Sequence, residues 1–484
     1  MSLRFQLAAR ESLKDICGLF RAVIMDMHIQ GLKQWNWGEY PSESILEEDA
    51  ARGMLYQIAQ DDRIIGAFAL VPEQEKQYSH LSWHFGVKPA TLHRLVIAPE
   101  FFGRGLARHA LVFAKEEALR LGYDSLRLDT SSENRRALKL FRSTMDRESG
   151  IIYFSRPNIA YHCFEASLSE QCPLLPVRMH PAFRHGDMTP WGGDGLRQLF
   201  GKVIPDERTG ESMEISTIPG LESTDDMGVP LSTLIARYGK PFTGDVDELP
   251  LLLKLIATRD RLSVQVHPDN AYAKTREGKL GKSEAWVILR AEEGTGILYG
   301  MKPGAELPAL HAALNAEADI EPLLEWVPVK AGDVFYIPSG MVHAIGGGIV
   351  LYELQQSSDV TYRLWDYRRA NEKGDRRELH LEQAFEVINP GLPGQRTHLP
   401  HASQEGFHSL LDLPSFALDC ACVDIELSLP PHPSGFRMFT ALEGLHLCWD
   451  GGMLALQAGE SALLPAFCPP LRIKGMGRAL IARS

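Results

Sequence analysis

The chain has 484 residues, 44% of them apolar and 23% charged, with a formal net charge of −12 and a pI near 5.8. That length exceeds one ordinary hydrophobic core, so two or more domains are expected. The acidic balance argues against a nucleic-acid coat or an anionic membrane surface as partner. The opening stretch MSLRFQLAARESLKDICGLF lacks a basic-then-apolar leader pattern. No window approaches ~18 consecutive apolar residues, so no spanning helix is expected. The seven cysteines have no C-x-x-C spacing, which predicts free thiols in a reducing cytoplasm. Cys420 and Cys422 share one strand face and are expected as buried small apolar residues rather than metal ligands.

Helices and strands interleave up to a change of character near residues 168–178. Within this part, LHRLVIAPEFFGRGLARHALVFAKEEALRLG is the informative stretch. Leu92 to Ile97, with Val96 inside it, reads as a strand. Gly103, Arg104 and Gly105 form a turn. A helix follows, with apolar residues at Leu106, Ala110, Leu111, Ala114, Ala118 and Leu119, and Gly122 placed to end it. A strand feeding a glycine turn and a helix N-terminus offers free N–H groups and a favourable dipole to a pyrophosphate.

These residues, with QWNWGEYPSES and ILEEDAARGMLYQIAQDDRIIGAFAL before them, resemble the GNAT superfamily of acyl-CoA-dependent acetyltransferases. The resemblance covers residues 1–168 and implies a mixed, twisted α/β sheet that binds acetyl-CoA. Its (Q/R)-x-x-G-x-(G/A) loop falls on Phe102-Gly103-Arg104-Gly105-Leu106-Ala107, with phenylalanine at the first position. The cofactor-binding set it implies is Val96, Gly103, Arg104, Gly105, Leu106, Ala107 and Asn134, the last near the pantetheine arm. Phe141 stands where the family often has a tyrosine that protonates the leaving thiolate, and phenylalanine has no proton to give. His93 is a candidate base, although a lone histidine beside a strand is more often structural. The acetyl acceptor is not readable.

Beyond a linker at 169–178, the chain reads as short strands with Gly and Pro turns and one helical excursion near 305–326. In LSVQVHPDN, Gln265 and His267 stand two apart on a strand and should share a face. In GKSEAWVIL, Lys282 and Glu284 do the same. GDVFYIPSGMVHAIGGG fits G-x5-P-x-G-x2-H at Gly332, Pro338, Gly340 and His343. Such a turn, strand, Pro-x-Gly corner and histidine make a recurring cupin half-motif, in which the histidine points into a small β-barrel. Gln265, His267, Glu284 and His343 supply one amide oxygen, two imidazoles and one carboxylate. That set suits Zn²⁺, tolerates Mn²⁺, Co²⁺ or Fe²⁺, and leaves room for substrate oxygens.

In order, TPWGGDGL, TGESMEIS, PLLLKLIATRDRLSVQVHPD, GKSEAW, GDVFYIPSGMVHA and QQSSDVTYRLWDY resemble the type I phosphomannose isomerases, in their shorter bacterial form. The resemblance implies a mainly-β catalytic cupin over 179–399 and a smaller, metal-free cupin lobe over 400–484. It implies one zinc per chain on Gln265, His267, Glu284 and His343, and interconversion of mannose-6-phosphate and fructose-6-phosphate through a cis-enediol(ate). Lys254, Ser263, Lys282 and Arg363 fall on its active-site polar positions. Arg363 is assigned to substrate oxygens and Lys282, beside the metal, to proton transfer. Lys254 and Ser263 are assigned to phosphate or hydroxyl contacts. A homodimer through the last lobe is a further expectation. The competing expectations are a non-catalytic sugar-phosphate sensor and a cupin oxidase or dioxygenase, the latter weakened by Gln265 at the first position of H-x-H.

Overall fold

Apolar spacing sets the N-terminal layers. Ile16, Phe20, Val23 and Met27 recur every three or four residues and are all buried on one side of a single helix. The computed structural model describes residues 3–61, 63–154, 159–370 and 374–484. It divides into two units, Met1–Leu175 with Trp449–Gly452, and Pro176–Cys448 with Met453–Ser484. Among the described residues, no helix is long and apolar enough to cross a membrane.

The elements of the first unit are β1 (Leu3–Leu7), α1 (Leu13–Ile29), α2 (Glu43–Ala51), β2 (Leu55–Gln60), β3 (Arg63–Val71), β4 (Pro89–Ile97), α3 (Leu106–Arg120), β5 (Ser125–Ser131), α4 (Arg135–Arg142), β6 (Arg147–Tyr153) and β7 (Ala160–Ser167). The strands form one sheet in the order β1-β2-β3-β4-β5-β7-β6. Helix α1 covers one face, with Ala67 and Val96 beneath it. Helices α3 and α4 cover the other, over Phe68, Leu70 and Leu92. Leu119, expected on the apolar face of α3, is instead exposed. Strands β4 and β5 are parallel and pair only over residues 89–91 and 125–127. Beyond that they part, and a cavity opens between them.

The second unit begins with two antiparallel sheets packed face to face. One runs Gln395–His398, Asp333–Ile337, Glu284–Ala291, Ile349–Gln356, Leu251–Thr258, Glu211–Ile215, Ala182–Arg184. The other runs Leu324–Pro328, Gly296–Met301, His343–Ile345, Val264–Val266, Tyr362–Trp365. Ile256, Trp286, Phe335 and Leu351 of the first meet Ile297 and Ile345 of the second in one core. The C-terminal residues build a further six-stranded and a four-stranded sheet. All seven cysteines are free and buried, Cys420 and Cys422 included.

A further sequence expectation needs correction. The helical excursion is the short helix Leu307–Asn315 and a 3-10 turn at Glu321–Leu323, and a strand starts at Leu324. It is also not alone: Gly195–Phe200, Leu231–Tyr238, Lys240–Thr243, Asn270–Arg276 and Leu381–Val387 are helical. Each has eight residues or fewer, too few turns for helical periodicity to stand out. The end of the expected linker is also ordered, since Val177–Met179 pairs with residues 461–463 as a strand.

Candidate active sites

In the second unit the sheet register assembles the site. Gln265 lies opposite His343 on one side and Arg363 on the other. The Pro-x-Gly corner fixes His343 against His267: the Gly340 N–H donates to the His267 carbonyl at 2.8 Å. Gly340 has φ +89°, and a Cβ there would meet the Val387 carbonyl at 2.9 Å, so both conformation and space require glycine. Ligating atoms of His267, Glu284 and His343 lie within 4.8 Å of one another, and all three residues are buried. Gln265 lines the adjoining cavity of about 260 Å³, as do Lys254, Ser263, Lys282 and Arg363.

The protonation states suit a metal. His267 Nδ1 lies 2.9 Å from the Val360 carbonyl, and His343 Nδ1 lies 2.8 Å from the Met341 carbonyl. A carbonyl only accepts, so each Nδ1 carries the hydrogen and each Nε2 keeps its lone pair. His343 Nε2 is buried without a hydrogen-bond partner. Burial, then the Lys282 charge, lowers the His267 pKa to about 3, and burial also lowers that of His343. Burial pushes the Glu284 carboxyl up, but the polar groups around it, the Lys282 charge first, outweigh it and hold it well below its ordinary range. Two neutral imidazoles and an ionised carboxylate are the forms that bind a divalent cation. The donor set fits.

The surrounding charges are compensated within the protein. Lys282 Nζ is 2.5 Å from Glu284 Oε1 and 3.0 Å from His267 Nε2. Lys254 Nζ is 2.9 Å from Glu353 Oε1 and 3.8 Å from Glu211 Oε1. The Trp286 indole N–H is shared between Glu284 Oε2 at 3.0 Å and Glu353 Oε2 at 3.1 Å. Arg363 Nε donates to Ser263 Oγ at 3.3 Å, and its Nη1 donates to the Glu378 carbonyl at 2.7 Å. Sequence reasoning missed Glu353, Glu211 and Trp286. Glu353 stands opposite Lys254 and Trp286 across neighbouring strands, a pairing that no local spacing reveals. The GKSEAW stretch did contain Trp286, two residues from Glu284 and therefore on its face.

In the first unit a cavity of about 610 Å³ lies where β4 and β5 part. Gly103, Gly105, Leu106, Ala107, Asn134 and Val96 line it. Arg104 does not; its guanidinium stacks over the Phe101 ring at 4.9 Å. Gly105 caps α3 at φ +76°, and no side chain caps that helix, which leaves its first N–H groups for a ligand. The Val96 side chain belongs to the apolar cluster beneath α1. Asn134 Oδ1 accepts from Ala137 N at 3.1 Å, so this side chain caps α4. Phe141 lines the cavity and packs on Phe164 with centroids 5.8 Å apart. His93 also lines it, and burial lowers its pKa to about 3.

Residues 23–145 match the acetyltransferase (GNAT) family, and residues 179–285 match the phosphomannose isomerase type I catalytic domain. The mannose-6-phosphate isomerase ManA of Bacillus subtilis is 40% identical over 322 residues, 63% of this chain and 98% of that protein. The chain joins a GNAT acetyltransferase domain to a type I phosphomannose isomerase. A Streptococcus mutans mannose-6-phosphate isomerase is 46% identical over 214 residues, 43% of this chain and 66% of that one. The crystal structure of a Bacillus subtilis mannose 6-phosphate isomerase superposes with a TM-score of 0.57 at 30% identity, over 64% of this chain and 100% of its own. In this isomerase Gln265, His267 and Glu284 fall inside the family match, and His343 and Arg363 lie beyond its end.

Proposed function

We propose that this chain is a bifunctional enzyme that interconverts mannose-6-phosphate and fructose-6-phosphate and transfers acetyl groups from acetyl-CoA. The observation that carries the isomerase reading is the convergence of two fixed imidazoles and an ionised carboxylate on one another, beside a cavity lined by Gln265, Lys254, Lys282 and Arg363. Gln265, His267, Glu284 and His343 would hold one zinc ion. When bound, the metal supplies Lewis-acid stabilisation of oxyanion character at the sugar oxygens. Lys282, beside those donors, carries a proton between the two sugar carbons. Arg363, oriented by Ser263 and Glu378, presents its remaining guanidinium donors to substrate oxygens. Lys254, already facing two carboxylates, is better suited to a sugar hydroxyl than to a phosphate dianion.

The acetyltransferase reading is supported by the parted strands and the glycine turn at the start of α3. Gly103 to Ala107 would take the CoA pyrophosphate, and the cavity the thioester. Phe141 donates no proton, so the leaving thiolate must be protonated from elsewhere. We assign residues 1–168 to the acetyltransferase, 179–399 to the isomerase cupin and 400–484 to a second, metal-free cupin lobe, joined by 169–178. A cytoplasmic enzyme fits seven free thiols, and pairing of copies through the last lobe would make a homodimer.

The test is an isomerase assay on the full-length protein with mannose-6-phosphate, before and after chelation and again with Zn²⁺ restored. Activity lost to the chelator and returned by zinc supports the reading. A folded protein inactive with every divalent metal sinks it. Calorimetry with acetyl-CoA tests the other half.

A further inference from the structure

The first-unit cavity has a second half, away from the glycine turn, bounded by the QWNWGEY loop, α1 and β4. Trp35 and Tyr40 form an aromatic wall, with rings 6.5 Å apart. Three acceptor groups, two of them carboxylates, stand out here. Gln34 lines the cavity, and its Oε1 is buried and receives no hydrogen bond. Asp129 accepts the Tyr78 hydroxyl on Oδ1 at 2.6 Å. Glu75 lies nearby, 3.8 Å from His93 Nε2. Burial pushes both carboxyls up, Asp129 to about 6, and Glu75 adds to the rise at Asp129. The guanidinium at this end is committed elsewhere: Arg94 is 2.5 Å from Asp49 Oδ2 and 3.1 Å from the Tyr40 hydroxyl. Its charge offsets Glu75 only in part, since burial still holds that carboxyl above its ordinary range, and Asp49 already takes up the guanidinium.

A half-buried site with two carboxylates against one already paired guanidinium, an orphaned amide oxygen and aromatic walls favours a cation with several N–H donors. It repels a phosphate. Resting on the acetyltransferase reading, we propose that the acetyl acceptor is a primary amine bearing a second ammonium group, a diamine or polyamine. A phosphorylated amino sugar, the acceptor that the attached isomerase would suggest, does not fit this end.

Two charges are needed because the reacting nitrogen must be neutral when it attacks. Glu75, which has no hydroxyl partner, takes one proton from that ammonium. The nitrogen lone pair then forms the bond to the thioester carbonyl carbon, and the carbon–sulfur bond breaks. A second proton on the same nitrogen passes to the departing thiolate, which requires no acid at Phe141. Asp129 remains ionised throughout, and the second ammonium balances it.

The experiment uses the full-length protein and three probes: spermidine, n-butylamine and glucosamine-6-phosphate. Acetyl-CoA binding is read by calorimetry, and turnover by release of the CoA thiol. We expect kcat/KM for spermidine to exceed that for n-butylamine by roughly tenfold or more, from one charge-assisted contact. Glucosamine-6-phosphate should rank last. Asp129→Asn keeps an acceptor for Tyr78 and should narrow the spermidine advantage to about twofold or less. A preference for glucosamine-6-phosphate, equal rates for the two amines, or acetylation of none of the three overturns the acceptor class. So does an undiminished advantage in the variant. If the variant does not fold, the wild-type ranking decides alone. A protein that binds no acetyl-CoA fails at the earlier step and overturns the acetyltransferase reading itself.

Discussion

The two cavities of this chain treat buried charge in opposite ways. In the isomerase cupin, Lys282 meets Glu284 and Lys254 meets Glu353 and Glu211. Arg184, 3.3 Å from Glu211, adds a third cation to the two lysines, and the His343 Nε2 lone pair is left without a partner. In the acetyltransferase cavity Glu75 and Asp129 act on each other as like charges, and the nearby Arg94 is paired with Asp49 and offsets Glu75 only in part. The first arrangement keeps a polar interior rigid and aims a few donors at one ion. The second leaves charge to be balanced by whatever enters. A compensated site is therefore sensitive to loss of any single member, whereas an uncompensated one gains stability when its carboxylate is removed.

The sharpest way to break this contrast is at the proposed metal donors. His343→Ala should lower isomerase kcat/KM by roughly a thousandfold, the scale of several kcal/mol of Lewis-acid stabilisation. A steady-state assay beside metal analysis checks it, and acetyl-CoA binding should not change. Arg363→Ala should cost roughly a hundredfold in kcat, as loss of an oxyanion donor does; unchanged kcat and KM would remove Arg363 from the chemistry. Trp286→Phe keeps the ring on His343, with centroids now 5.5 Å apart, but loses the N–H shared by Glu284 and Glu353. Zinc affinity, measured by competition with a chelator, should fall roughly tenfold to a hundredfold.

Smaller effects belong to the first unit. Gly105→Ala meets no atom within 4 Å, so its cost is the left-handed backbone alone, about 1–2 kcal/mol. The melting transition of the first unit should drop while isomerase activity holds. Last is Asp129, whose pKa rises from 3.8 to about 6 on folding. Between those values the folded protein holds a proton that the unfolded chain releases, so stability falls as pH rises through about 4 to 6. Asp129→Asn should flatten that decline in calorimetric scans. A slope identical to wild type would mean that burial does not perturb this carboxyl.

Much was legible because it was local. The glycine turn before α3, the Pro-x-Gly corner before His343 and the i, i+2 pairs Gln265–His267 and Lys282–Glu284 each lie within a few residues. Strand alternation or turn geometry then dictates which way they face. Even so, Arg104 turned out to stack on Phe101, and Asn134 to cap α4, because a side chain's nearest partner is chosen by space and not by motif.

The sequence by itself determined the two families and the i, i+2 spacing that puts Gln265 with His267 and Lys282 with Glu284, since these follow from motif and strand alternation. Only the tertiary structure decided the rest. Which carbonyl holds each histidine tautomer, that Glu353 and Glu211 balance Lys254, and that Glu75 and Asp129 share a cavity in which Arg94 is paired with Asp49 all join residues distant in the chain. Burial and Coulomb energy depend on distance in space, and strand pairing across a hundred residues sets that distance with no local trace.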